Sequence, residues 1–266
     1  MNFSNFEIAD FEQLENLQPP NWGALIPRFQ EFMQSPKSHP IKLTMDEKLI
    51  GVGTTILHED SAWLACIIIH EDHRNKGLGA MITKELIDKI DQQKHSTIFL
   101  DATEFGFPVY HKMGFQIEGF YTHLRLEGMK PSYYLNSNIF NFDPQWESQV
   151  LNLDLFCSNE NRSFVLKKHL QKAKIYLVNQ KVEGFYLPTL NDGLIIANNQ
   201  DAGIALLKER MQDFNYAILP EENQAAIEIL KAASFVEYRK SRRMYLSKKR
   251  QWQYQYIYNR ISGQLG

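Results

Sequence analysis

Apolar and polar residues along this chain alternate between two periods, and the switches between them lay out the elements. Strand-like runs fall at Asn2–Ile8, Ile41–Met45, Leu49–Leu57, Trp63–Ile69, Ser96–Asp101 and Gln116–Leu126. Helical spacing appears at Asp10–Leu17, Trp22–Met33 and Ala80–Ile90, the last placing Met81, Ile82, Leu86, Ile87 and Ile90 on one face. Pro19, Pro20 and Pro36 punctuate the early helices, and Asp46-Glu47-Lys48 joins two strands into a hairpin. Trp63–Ile69 is apolar throughout and too short to span a bilayer, so it is expected to be a strand buried on both faces.

The second half repeats this pattern in worn form. After a connection at Pro131–Tyr134 and Asn136–Asn138, helical patterns at Trp146–Cys157 and Ser163–Leu170 lead into strands at Lys174–Val178 and Lys181–Leu187. Lys181–Tyr186 echoes Lys48–Gly53, Gly193–Ala197 echoes the central strand, and the helix Asn223–Ala233 before Phe235 echoes Phe107–Phe115. In the tail, Trp252, Tyr254, Tyr256 and Tyr258 alternate like an amphipathic strand beside Lys248, Lys249 and Arg250. That juxtaposition raises single-stranded nucleic acid as a reading, against a plain edge strand and packed terminus.

Chemistry concentrates behind the central strand. It ends at His70 and is followed by Arg74-Asn75-Lys76-Gly77-Leu78-Gly79 and then the helix from Ala80. The two glycines let backbone approach a ligand, the first turn of the helix offers free N–H donors, and Arg74 and Lys76 add charge. A phosphate or pyrophosphate is the expected occupant. The spacing fits neither a Walker loop, which needs Lys-Ser/Thr after its glycine, nor G-x-G-x-x-G, because Ile82 stands where the third glycine would be.

The pattern Arg74-x-x-Gly77-x-Gly79 at a strand-to-helix junction resembles the acetyl-coenzyme A loop of the GNAT N-acyltransferases. Some thirty residues on, Tyr110-His111-Lys112-Met113-Gly114-Phe115, followed by a strand, resembles the last helix and strand of the same superfamily. The resemblance implies two tandem GNAT folds of α/β (α+β) class, each a mixed, mostly antiparallel sheet flanked by helices. Residues 1–130 would be the catalytic domain and 131–266 a degenerate one, with Asn198–Gly203 lacking the arginine and Leu230 standing in Tyr110's place. It implies acetyl-CoA as co-substrate, held by Ile67, Ile68, Ile69, Arg74, Asn75, Lys76, Gly77, Leu78, Gly79, Ala80 and Thr103. Tyr110 would protonate the departing thiolate, and a backbone N–H around Ile67–Ile69 would stabilise the oxyanion. Many members carry asparagine where this chain has Thr103. His70, Glu71, Asp101 and Glu104 are the residues placed to serve as base or to cap and solvate the strand ends. Gly114 is expected to cap its helix with positive φ.

The implied reaction is acetyl transfer to a primary amine of a small molecule or peptide. The alternatives are a non-catalytic acyl-CoA sensor and an aminoacyl-tRNA-dependent peptidyl transferase. Composition narrows the field. With 44% hydrophobic residues the chain can bury a large core, and a net charge of −2 argues against nucleic acid as a partner. Cys66 and Cys157 supply neither a disulfide framework nor metal-ligand spacing, so no metal is expected, and a reducing compartment fits. The acidic amino terminus has no apolar targeting core and no segment reaches membrane-spanning length, from which a cytoplasmic location without membrane partner is expected. Homodimerisation is left open.

Overall fold

The computed structural model describes residues 1–266 apart from Asn21 and Leu135. Two compact units are present. Unit 1 contains Met1–Gln116, Tyr245–Lys248 and Leu265, and unit 2 contains Ile117–Met244, Lys249–Gln264 and Gly266.

Unit 1 runs through β1 (Asn2–Asn5), α1 (Phe11–Leu14), α2 (Leu25–Gln34), β2 (Ser38–Met45), β3 (Lys48–Leu57), β4 (Ser61–Ile69), α3 (Leu78–Asp88), β5 (Thr97–Ala102) and α4 (Phe107–Lys112). Its strands lie in the order β1-β2-β3-β4-β5, antiparallel except for the parallel pair β4–β5. Residues from the far end of the chain extend this sheet: Lys248 N–H donates to Ser96 O at 3.1 Å, and its carbonyl accepts from Thr97 Oγ1 at 2.7 Å. Phe6, Leu14, Leu25, Phe29, Phe32, Trp63 and Phe99 fill one core cluster, in which Trp63 stacks on Phe99 at 5.2 Å.

Unit 2 takes up most of β6 (Gln116–Leu126) and continues through β7 (Ile139–Asn141), α5 (Glu147–Ser158), α6 (Ser163–Leu166), β8 (Lys174–Val178), β9 (Lys181–Leu187), β10 (Leu194–Ala197), α7 (Gln200–Asp213), β11 (Tyr216–Pro220), α8 (Gln224–Ala232), the part of β12 (Phe235–Ser247) up to Met244, and β13 (Ile257–Asn259). One sheet runs β13-β10-β9-β8-β7; β6 pairs antiparallel with β11. The repeat seen in the sequence extends to the turns. The β2–β3 hairpin turns at Asp46 and Glu47 with φ of 50° and 63°, and the β8–β9 hairpin at Asn179 and Gln180 with 50° and 60°, both the I′ pattern suited to two-residue loops.

Several expectations need correction. The first strand ends at Asn5, with Ile8–Asp10 in a 3-10 turn, and the helix expected from Trp22 begins at Leu25. Helix α3 begins at Leu78, not Ala80, because Gly77 adopts φ 79° as its N-cap and the buried Leu78 side chain anchors the first turn. The aromatic alternation in the tail does not make a strand over Trp252–Tyr258: Tyr254–Tyr256 is a 3-10 turn and only Ile257–Asn259 pairs. The rings have other uses there, Trp252 lying beneath the Arg243 guanidinium at 4.4 Å and Tyr256 stacking on Phe156 at 6.2 Å. Arg250 is buried and donates to Asn159 O at 2.6 Å, so it braces the tail instead of presenting charge.

Candidate active site

Strand β4 carries the distortion from which the site is built. Its register against β3 pairs Ala65 with Thr54 and Ile68 with Val52, so two residues, Cys66 and Ile67, face Gly53 alone. This is a β-bulge, and Cys66 adopts φ 49° within it. On its other edge β4 pairs with β5 from Ser61 to Trp63, opposite Thr97 to Phe99. Both strands continue past that point, β4 to Ile69 and β5 to Ala102, outside the paired register. A gap flanked by strand backbone therefore opens beside residues 66–69.

The glycine loop sits at the end of this gap. His70 accepts Asp72 N–H on Nδ1 at 3.4 Å and starts a 3-10 turn over Glu71–His73, so it acts as a cap and that lone pair is taken. Arg74 Nε donates to Ile69 O at 3.1 Å and Lys76 Nζ to Asp72 O at 2.8 Å, which fold both cations onto the loop. Asn75 and Gly77 hold left-handed φ of 62° and 79°. Met81 N–H is bonded to Gly77 O, while those of Leu78, Gly79 and Ala80 precede it in the first turn, where no intrahelical acceptor exists. A Cβ added at Gly77 or Gly79 would meet no atom within 4 Å, so the space before these donors is open. Residues, charge and space fit a pyrophosphate. Of the residues expected here, Leu78 has a buried side chain and offers a ligand only its N–H, and Ile68 is likewise buried in the core while Ile67 and Ile69 keep partial exposure.

Tyr110 reaches the same place from α4. The helix ends in a Schellman motif, with Gly114 N–H bonded to His111 O at 3.1 Å and Phe115 N–H to Tyr110 O at 3.1 Å, and Gly114 at φ 94° supplies the left-handed residue. Phe115 is then buried, edge-on to the Tyr110 ring at 6.0 Å. At the front of the helix Gly106 has no side chain, and the Tyr110 ring occupies the place of its Cβ, 2.7 Å from Cε2. The Thr103 hydroxyl accepts Gly106 N–H at 3.2 Å and so braces the turn into α4, leaving its own hydrogen to donate. Burial pushes the Tyr110 phenol well above its usual pKa, and the nearby Cys66 adds to the rise. The phenol stays protonated at neutral pH. Cys66 is itself pushed up to about 11 by burial, against the opposing charge and hydrogen bond of Arg28.

Arg28 and Cys66 did not stand out as site residues in the sequence. A signal was present for Arg28: it shares the i, i+3, i+4, i+7 stripe of α2 with Leu25, Phe29 and Phe32, all buried. Nothing in the sequence marks the bulge at Cys66.

Unit 2 treats the corresponding gap differently. Strands β10 and β11 belong to separate sheets, and residues 257–260 occupy the space between them. Ile195 and Ile196 of β10 pair antiparallel with Asn259 and Ile257. On the other side Ile218 N–H donates to Asn259 Oδ1 at 2.9 Å, and Arg260 N–H to Ile218 O at 2.9 Å. The Tyr258 ring lies 2.0 Å from where a Cβ on Gly203 of α7 would stand. Leu230 occupies Tyr110's place and is fully buried. A second His-centred pair, His123 Nε2 with Ser241 Oγ at 2.8 Å, is no nucleophile couple: Arg239 donates to His123 Nδ1, so Nε2 carries the proton and Ser241 accepts it. Among the described residues no cluster of His, Cys, Asp or Glu is placed to hold a metal, and no helix is long and apolar enough to cross a membrane.

Comparison with known proteins fits this geometry. A GNAT acetyltransferase domain family matches residues 18–119, and a second GNAT acetyltransferase domain family matches residues 150–259. Among curated proteins none matches the chain. Among solved structures, a protein of Pyrococcus horikoshii assigned as an acetyltransferase is similar over 100% of this chain and 95% of its own, with TM-score 0.84 and 20% identity. A GCN5-related N-acetyltransferase of Sphaerobacter thermophilus is similar over 92% and 95%, with TM-score 0.63 and 11% identity. Two domain matches in tandem, on a fold shared along its whole length, settle the family: the chain belongs to the GNAT acetyltransferases and carries two of their domains in series.

Proposed function

We propose that unit 1 transfers an acetyl group from acetyl-CoA to a primary amine of a small molecule by direct attack, and that unit 2 carries no chemistry. The observation that supports this most is the meeting of three features at one bulge: strand backbone parting after Trp63, the open glycine loop behind it, and a half-buried, protonated Tyr110 beside Cys66.

Acetyl-CoA supplies the activated thioester. The N–H groups of Leu78, Gly79 and Ala80, with Arg74 and Lys76 swung outward, hold its phosphates. Thr103 and the backbone of residues 67–69 take the extended pantetheine, and an amide there faces the carbonyl oxygen as charge develops on it. Tyr110 gives its proton to the leaving thiolate. The acceptor must arrive neutral, a form that makes up roughly one part in a thousand of an alkyl amine of pKa ~10 at pH 7.

The test is release of free thiol from acetyl-CoA by the purified chain against a panel of amines, together with calorimetry of coenzyme binding. Amine-dependent release with one coenzyme site per chain is expected. Binding without release for any amine would turn the reading to a sensor, and absence of binding would remove both readings.

A further inference from the structure

A cleft of about 530 Å³ opens in unit 2, and none of the residues that fill the gap beside β10 line it. Its size is that of a small-molecule site. One side is helix α7, along which Asp201, Ile204 and Lys208 stand in a row at the helical repeat, with Glu209 beside them. The other side is built by Tyr133 and by Tyr176 of β8. Lys208 is half-buried, and its ammonium lies 5.3 Å from the centre of the Tyr133 ring. That ring is an apolar rest for a charge and supplies no counterion. Among the described residues no carboxylate pairs with Lys208, and no cation pairs with Asp201 or Glu209. Adjacent helical side chains diverge, which keeps Glu209 from neutralising Lys208; it accepts Gln212 Nε2 at 3.4 Å instead. The Tyr176 hydroxyl accepts Asn138 Nδ2 at 3.2 Å, so its own hydrogen is left to donate.

Opposite charges at the two ends of one cleft, each without a counterion, call for a ligand charged in the reverse sense at its own ends. Asp201 and Lys208 are seven residues apart on α7, about 10.5 Å along the axis. Roughly three extended peptide residues, at ~3.5 Å each, span the same length. We infer that this cleft binds a short peptide of about three residues with both termini free, its ammonium on Asp201 and its carboxylate on Lys208. Between the ends, Tyr176 donates to a backbone carbonyl, Glu209 accepts the last backbone N–H, and Ile204 with the tyrosine rings covers the middle side chain. The unit that lacks the coenzyme loop then has a ligand of its own, and its site is independent of acetyl transfer in unit 1.

The full-length chain, without acetyl-CoA, is titrated by calorimetry with the tripeptide Ala-Leu-Ala, with its N-acetyl form and with its C-terminal amide. The free tripeptide is expected to bind about tenfold or more tightly than either capped form, because each cap removes one charge-assisted contact. Lys208→Gln should make acid and amide bind alike while keeping the preference for a free amino terminus. Asp201→Asn should do the reverse, so each variant shows that the other has not simply lost its fold. Absence of binding by all three peptides, or equal affinity for free and capped forms, would overturn the inference. So would discrimination that both variants leave unchanged, since the peptide would then be held elsewhere on the chain. None of these results alters the thiol-release test of unit 1.

Discussion

Replacing Tyr110 by phenylalanine isolates a single oxygen. The ring keeps its edge-on contact with Phe115 at 6.0 Å and its place over Gly106, and the backbone bond from Phe115 N–H to the residue 110 carbonyl does not depend on the side chain. Loss of one hydroxyl should therefore shift stability by no more than about 1 kcal/mol, and coenzyme affinity should hold. The rate should not. A general acid is worth about 10²- to 10⁴-fold, or about 3 to 5 kcal/mol of barrier. Single-turnover acetyl transfer, with coenzyme binding measured in parallel, reads both quantities. The direction of the Tyr110 shift adds a second reading. Burial raises the pKa, so the native side chain keeps its proton through the ordinary titration of tyrosine near ~10. The wild-type rate should rise with pH as the acceptor loses its proton, with no descending limb below about pH 10 from this group. A kcat unchanged in Tyr110→Phe, or a fall in coenzyme affinity equal to the fall in rate, would refute the assignment.

Three further outcomes follow from the same geometry. Arg74→Ala with Lys76→Ala should weaken coenzyme A binding by about 10- to 100-fold at one site per chain, as expected for lost charge-assisted bonds; calorimetry showing two equal sites would contradict the filled gap in unit 2. Gly203→Ala places a methyl group in the Tyr258 ring, so it should cost about 1 to 3 kcal/mol and expose residues 250–264 to protease, read by thermal melting and limited digestion. His123 is held neutral, its pKa lowered to about 2 chiefly by burial and then by Arg260 and Arg239. The unfolded chain takes up the proton below about 6.5 and the folded one does not, so unit 2 should lose up to about 1.4 kcal/mol per pH unit as pH falls below that value. Denaturant midpoints measured between pH 7 and 5 should show this slope, and it should flatten in His123→Gln.

What the sequence disclosed was local. The hairpin at Asp46-Glu47-Lys48, the glycine loop at Gly77 and the positive-φ cap at Gly114 all depend on neighbours within a few positions, and all are found. What it concealed depends on partners far along the chain. No local pattern tells Ile117–Leu126 that its mate is Tyr216–Pro220, or Lys248 that it will meet Ser96. The aromatic spacing of Trp252, Tyr254 and Tyr256 copied a strand because separate contacts, to Arg243 and Phe156 among them, called for rings at those places. Cys66 was hidden for a related reason: a bulge is a mismatch between two strands and has no signature in either one alone.

The sheet of unit 1 is completed by Tyr245–Lys248, and that has a consequence for how the protein is made. A ribosome that has just released Gln116 from its exit has delivered the unit without its edge and without Leu265. About 130 residues separate that point from Lys248, and at 5–20 residues per second their synthesis takes roughly 7 to 26 s. Through that interval Thr97–Ala102, an apolar strand rich in β-formers, waits with one side uncapped, the condition under which chains on neighbouring ribosomes stick to one another. Slow translation of the second half prolongs the exposure, so codon choice and chaperone supply should govern the yield of this enzyme more than its final stability does.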